Sequence, residues 1–403
     1  MKKRFFTSFL LALGLSFSTI CQASEGITTN SIAGWPQGPE ITSTAAVVME
    51  DSTNTFLYAK NMDQPLYPAS AVKIMTCLLT IENCSLTDQV TITETGLEGT
   101  TDGGANIAAQ LDETFTVEQC LYAVMVASAN DIALQLAEHV GGTVESFVQM
   151  MNTRAQELGC TNTLFTNPTG MPDENQHVTA HDMALITQAA IRNDIFRPVL
   201  AALNYTIPAT NVSGGDRVLS STFTMTNASS DGYYEGCIGG KEGFTQASGS
   251  VLMCAATRND MTLIAVVLNG ASGQTDDEAI TILDYGFGQF YKTDLGKDDF
   301  SVLSGGTVIA PAGIDESQIT YQDVPNGDQI DRTYYYGEIP IGTAAAQTVT
   351  QEDPSIRAAG DANMQAARDF SEDHTNTPYF VIGGVGLLIL LFLVSRIVKI
   401  AKS

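Results

Sequence analysis

The stretch Pro68-Ala69-Ser70-Ala71-Val72-Lys73-Ile74-Met75-Thr76-Cys77-Leu78-Leu79 reads as the start of a buried helix with a nucleophile at its tip. Residues three apart share a helix face, so a helix beginning at Ser70 sets the Lys73 amine beside the serine hydroxyl. Ile74, Met75, Leu78 and Leu79 supply the apolar residues that bury it. A serine hydroxyl is a poor nucleophile at neutral pH and needs an adjacent base. A buried lysine close to a second cation loses affinity for its proton, and Lys73 can then be that base. The helix N-terminus favours the negative charge that develops. Alone, Ser-x-x-Lys recurs by chance, and its weight comes from two further motifs downstream.

The second is Ser128-Ala129-Asn130, set between two apolar-periodic stretches, Val117 to Met125 and Asn130 to Val140. Ser and Asn are favoured helix caps, which gives the triplet a purely structural reading. With Ser70 and Lys73 upstream, Ser128 is a candidate proton relay to a leaving amine, and Asn130 a donor to a substrate amide or to Lys73. The third is Lys241-Glu242-Gly243, at the end of a predicted strand from Gly236 to Gly240. A turn at Gln246-Ala247-Ser248-Gly249 and a second strand, Ser250 to Thr257, follow. A glycine on an edge strand lets a peptide approach the backbone and pair with it. Lys241 supplies positive potential, and it is the second cation that Lys73 needs. The Phe244 N–H, with that of Ser70, forms a candidate oxyanion hole.

The three motifs in this order resemble the S-x-x-K, S-x-N, K-T-G signature of the serine β-lactamase and penicillin-binding superfamily. Further similar stretches are Ala45 to Met49, Asn61 to Thr76, Asn167-Pro168-Thr169-Gly170, His177 to Asp182 and Ala256 to Gly270. From about Thr44 to Phe290 the chain resembles a D-alanyl-D-alanine carboxypeptidase of the low-molecular-mass penicillin-binding type. The resemblance implies an α/β fold, an antiparallel sheet flanked by helices with a helical lobe. It implies Ser70 as acylated nucleophile, Lys73 as base, and Ser128 and Asn130 as relay and positioning groups. Lys241, Gly243, Phe244 and Thr245 become the substrate-binding residues. Peptidoglycan stem peptides are the implied substrates, and β-lactams the implied acylating inhibitors. No cofactor or metal is implied.

Two departures stand out. Glu242 replaces the family's Thr, whose hydroxyl helps bind the terminal carboxylate. An arginine that serves the same carboxylate is missing, and Asp277 falls at that point of an approximate alignment. Like charges 4 Å apart repel by about 1 kcal/mol in water and several-fold more in a shielded site. Thr245 can compensate, and Glu242 can turn outward. The alternatives to a carboxypeptidase are a D,D-endopeptidase with altered carboxylate recognition and a catalytically weak wall-binding or penicillin-binding protein. A β-lactamase would need a deacylating glutamate, and this sequence carries no convincing motif for one.

The termini predict export and anchoring. Lys2-Lys3-Arg4, an apolar run from Phe5 to Phe17 and Cys21-Gln22-Ala23 read as a secretory signal peptide cleaved after Ala23. Tyr379 to Val394 is apolar and uncharged, with Arg396, Lys399 and Lys402 behind it, so a single helix is expected to span the membrane with its tail in the cytoplasm. These two segments hold six of the 19 basic residues and none of the 45 acidic ones. What lies between them is therefore more acidic than the chain's formal net charge of −26, which argues against nucleic acid as a partner.

The predicted order is signal peptide 1–23, polar leader 24–39, peptidase domain 40–293, small β domain 298–343, stalk 344–378, transmembrane helix 379–398 and cytoplasmic tail 399–403. The β domain rests on alternating apolar residues with turns at Gly305-Gly306 and Pro325-Asn326-Gly327. Of seven cysteines, six follow the leader, and Cys237–Cys254 is the favoured disulfide because both fall on the strands of the Lys241 hairpin. His177 and His181, four apart without an H-E-x-x-H pattern, read as structural.

Overall fold

The computed structural model describes residues 28–296 and 301–347. The predicted signal peptide, the transmembrane helix, the cytoplasmic tail and most of the stalk lie outside the described residues. Among the described residues, no helix is long and apolar enough to cross a membrane.

β1 (Ala45–Glu50) and β2 (Phe56–Lys60) form a hairpin. The chain then builds its helical part: α1 (Val72–Asn83), β3 (Gln89–Thr91), α2 (Glu94–Glu98), β4 (Thr114–Thr116), α3 (Val117–Val126), α4 (Asn130–Gly141) and α5 (Val144–Glu157). α6 (Ala180–Arg192), α7 (Phe196–Ala201) and a short hairpin of β5 (Asn204–Ile207) and β6 (Arg217–Ser220) complete it. The chain returns to the sheet with β7 (Cys237–Thr245), β8 (Gly249–Arg258) and β9 (Met261–Gly270), and covers it with α8 (Thr275–Gln289). The sheet is antiparallel in the order β2-β1-β9-β8-β7, which leaves β7 at an edge.

Both faces of this sheet are covered, and so its central strands are near-continuous apolar runs. Alternate residues divide between two cores. Val47, Met253 and Val266 pack with α1, α3 and α4 on the helical side. Val48, Leu252 and Val267 pack with Ile282 and Leu283 of α8 on the other. Thus a residue on β7 is assigned to a face by its partner on β8.

The small β region begins earlier than predicted. β10 (Phe290–Asp294) follows α8 directly and pairs with β12 (Thr307–Pro311), which comes after β11 (Val302–Gly305). β13 (Ile319–Asn326), β14 (Gln329–Tyr336) and β15 (Ile339–Gln347) complete a four-stranded sheet in the order β11-β15-β14-β13. β15 thereby takes in residues 344–347, which were expected to open the stalk. Val308, Ile309, Tyr334 and Ile341 share a core with α8 and with Trp35. That tryptophan lies in the segment read as a polar leader; it is 4% exposed and donates its indole N–H to Leu57 O at 2.8 Å. A second compact unit includes Pro325–Ile330, where Gly327 takes a positive φ of 61° at the predicted turn.

The six cysteines after the leader are free thiols, which corrects the expected Cys237–Cys254 disulfide. The register explains it. A bulge between Cys237 and Gly239 puts Cys237 opposite Ala256 and Cys254 opposite Gly240, so the two are offset across the ladder.

Candidate active site

Ser70 sits in a 3₁₀ turn, Ala69–Ala71, that runs directly into α1. Ala69 holds a positive φ of 46°, a strained conformation for a residue with a Cβ. The strain has an identifiable support. Gly170 packs so tightly beneath it that an added Cβ would fall 1.8 Å from Ala69 O.

Lys73, one helical turn on, points back at the nucleophile, with Nζ 3.2 Å from Ser70 Oγ. It is only 1% exposed, and it also donates to Thr169 O at 2.6 Å. Burial and the nearby Lys241 ammonium bring its pKa from 10.5 down to about 7, although Asp102, Cys77 and Asp131 partly oppose them. The amine is therefore poised to lose its proton near neutrality while in contact with the Ser70 hydroxyl.

Ser128 Oγ is buried and has no hydrogen-bond partner, the one such side-chain atom among the described residues. Its φ is +55°. The capping alternative fails, because Ala129 occupies the N-cap of α4 and no side chain caps that helix. The buried hydroxyl thus makes no structural hydrogen bond of its own, on a residue whose backbone is strained.

Asn130, 2% exposed, opens α4. Its Nδ2 donates to Asp102 Oδ2 at 2.8 Å, so the donor expected for Lys73 or a substrate amide has one N–H engaged by a carboxylate. Asp102 carried no signal in the sequence reading. Nor did the Thr169 carbonyl, since a backbone acceptor has no side-chain signature. Asn167-Pro168-Thr169-Gly170 is folded by Asn167 Oδ1, which accepts from the N–H groups of Thr169 and Gly170. Pro168 O then accepts from Thr76 Oγ1 at 2.7 Å, which docks the segment on α1.

The Lys241 motif lies within β7, not at its end as predicted. Lys241 pairs with Met253 and Gly243 with Val251, so both face the helical side and Ser70. An added Cβ on Gly243 would lie 2.7 Å from Ser70 N; only glycine permits this closeness of strand and nucleophile. Lys241 is 4% exposed and donates to Glu242 O at 2.7 Å.

Glu242 pairs with Leu252 and springs from the opposite face. Its carboxylate accepts from Thr222 Oγ1 and stands 4.0 Å from Lys241 Nζ, next to the buried cation. Asp277 is exposed in the first turn of α8, with Thr281 hydrogen-bonded to its carbonyl. Phe244 is 61% exposed on the strand edge. The Thr245 hydroxyl is tied to Ser248 in the turn that follows, at 2.8 Å. His177 and His181 are separately engaged, with Asn175 O and with Asp63.

A serine contacted by a buried lysine of lowered proton affinity, beside a second lysine on a sheet edge, is an arrangement able to carry out serine acyl transfer. The class narrows further: the chain belongs to the D-alanyl-D-alanine carboxypeptidase family, Peptidase_S11, whose model matches residues 33–272. It is 31% identical over 268 residues to the D-alanyl-D-alanine carboxypeptidase DacF of Bacillus subtilis, covering 64% of this chain and 65% of that protein. The match to the D-alanyl-D-alanine carboxypeptidase of a Streptomyces species is 32% over 262 residues, covering 62% and 88% respectively. The chain thus spans just under two thirds of the length of the Bacillus relative. Penicillin-binding protein 5 from Haemophilus influenzae superposes with a TM-score of 0.64 at 26% identity, over 77% of this chain and 98% of that one.

Proposed function

We propose that this protein is a serine-type D-Ala-D-Ala carboxypeptidase acting on peptidoglycan stem peptides, and that β-lactams acylate the same serine. One observation carries the reading: the Lys73 amine, buried and depressed to about 7, touches Ser70 Oγ at 3.2 Å. Neutral Lys73 takes the hydroxyl proton as Ser70 Oγ attacks the penultimate D-Ala carbonyl. The oxyanion is met by the backbone N–H groups of Ser70 and Phe244. Ser128, whose hydroxyl is free to accept and pass on a proton, relays it to the departing D-Ala amine. Water then attacks the ester on Ser70 and releases the shortened peptide, so each turnover consumes one water. Asn130 positions the peptide, Lys241 holds the site electropositive, and Gly243 and Thr245 shape the edge along which the peptide lies.

The same reading includes an exported, membrane-anchored protein. The basic and apolar residues of 1–23 support a signal peptide. The uncharged run from Tyr379 to Val394, with Arg396, Lys399 and Lys402 behind it, supports one spanning helix and an extracytoplasmic body. The test of function is release of D-Ala from a peptide ending in D-Ala-D-Ala, by wild type and by Ser70→Ala. Release by wild type alone supports the proposal; equal release by both removes Ser70 from the chemistry.

A further inference from the structure

The loop that links α2 to β4 closes over the start of α4, and it is held there from several directions. Gly99 lies against the Asn130–Asp131 backbone, where an added Cβ would come within 2.5 Å of Asp131 N. Asn130 N–H donates to Ala105 O at 2.7 Å. The fully buried Asp131 carboxylate accepts from Ile107 N, at 3.2 Å, and Ala109 N, at 3.0 Å. These bonds fix the loop's far limb, so Asp102 is delivered to the site by a braced backbone.

At the loop's tip, Asp102 Oδ1 accepts from Gly104 N–H at 2.8 Å while Oδ2 accepts from Asn130 Nδ2 at 2.8 Å. The loop wraps the carboxamide closely. An added Cβ on Gly104 would lie 2.1 Å from Asn130 Nδ2. A carboxylate accepts and cannot donate, so its contact fixes which end of the amide is nitrogen. The Asn130 carbonyl oxygen is left on the side away from Asp102.

We propose that Asp102 is a positioning residue of this site: it clamps the Asn130 carboxamide in one orientation and holds a negative charge within reach of Lys73. The inference rests on the acyl-transfer reading of Ser70 and Lys73, and it deepens that reading by adding a residue from a loop that carries no motif. Lys73 is faced by Ser70 from the turn before α1, by Cys77 from its own helix, by Lys241 from β7, by the Thr169 carbonyl, by Asp131 from α4 and by Asp102 from this loop. Burial and Lys241 lower its proton affinity, and Asp102 is the first of the groups that raise it. Asp102 therefore opposes part of the fall that burial and Lys241 impose on Lys73.

The test separates clamp from charge. Asp102→Asn keeps an oxygen acceptor for Asn130 and removes the charge; Asp102→Ala removes both. Lys73 is titrated directly by the ¹³C shift of its Cε in labelled protein, with the resonance assigned by its loss in Lys73→Met. Acylation by a fluorescent penicillin is followed across the same pH range. In both Asp102 variants the Lys73 midpoint should move down by about half a pH unit or more. The acylation plateau should fall further in Asp102→Ala than in Asp102→Asn. A Lys73 midpoint in Asp102→Asn that coincides with wild type overturns the electrostatic role, and equal plateaus in the two variants overturn the clamp. Because the NMR titration needs no turnover, a wild type that fails to acylate would count against the proposed function and still leave the Asp102–Lys73 coupling measured. If Asp102→Ala does not fold, the plateau of Asp102→Asn is compared with that of Gly104→Ala, which displaces the carboxamide and keeps the charge.

Discussion

Gly243 on the edge strand lies so close to Ser70 that a methyl group in place of its hydrogen would stand 2.7 Å from the serine nitrogen. That approach joins the two halves of the site, because the strand carries Lys241 and the helix carries Lys73. It also brings the second ammonium near enough to depress the first. Backbone geometry at one glycine thus adds the second ammonium's effect to that of burial at Lys73.

Gly243→Ala should fold and yet acylate poorly. The added methyl must push strand and nucleophile apart, and a misplacement of about 1 Å can cost on the order of a hundredfold in rate. Acylation rates and thermal melts on the same preparation check this; an unchanged rate means the strand is not part of the site.

The acylation rate should rise with pH through about 7, because only the neutral Lys73 amine accepts the serine proton. Stability carries the matching sign. In the unfolded chain the lysine binds its proton up to about 10.5, and in the folded chain only up to about 7. Between these values the unfolded state holds more protons, so this group's contribution makes the protein more stable as pH rises. Lys73→Met should abolish acylation and flatten that part of the stability profile. A profile just as steep in Lys73→Met assigns the slope to another group.

Ser128→Ala should separate stability from activity. The Ser128 hydroxyl has no partner to lose, so its removal should leave the melting temperature equal or higher. Turnover should drop by orders of magnitude because the leaving amine loses its proton source. A melting temperature well below wild type would show that the hydroxyl is bonded after all.

Glu242→Thr should raise kcat/KM more for a peptide with a free terminal carboxylate than for the same peptide amidated. The carboxylate stands 4.0 Å from Lys241 Nζ and competes for the cation that a substrate anion would use. A tenfold difference corresponds to roughly 1.4 kcal/mol, a fitting size for one partly screened contact. Equal gains on both substrates, or a loss, would show that Glu242 instead holds the site together through Thr222.

The residues legible in the sequence are those whose geometry is local. Ser70 and Lys73 meet because they are three residues apart at the start of one helix, and β1 is legible as a short apolar run followed at once by a turn. Lys241 was legible because a strand pattern carries it. The Thr169 carbonyl and Asp102 were not, since each reaches the site through tertiary packing and neither has a spacing that announces it. The Cys237–Cys254 pairing failed for a related reason: a single bulged residue shifts the ladder, and strand assignment alone does not reveal register. Glu242 was half legible, its departure visible but its hold on Thr222 not.

The most direct measurement is the mass of the intact protein after exposure to benzylpenicillin, followed by mapping of the modified peptide. The account predicts one added penicilloyl group, carried by Ser70, which forms faster as the pH is raised through about 7 and is absent from Ser70→Ala. A penicilloyl group on any other residue, or an adduct of equal yield on the Ser70→Ala protein, would contradict it.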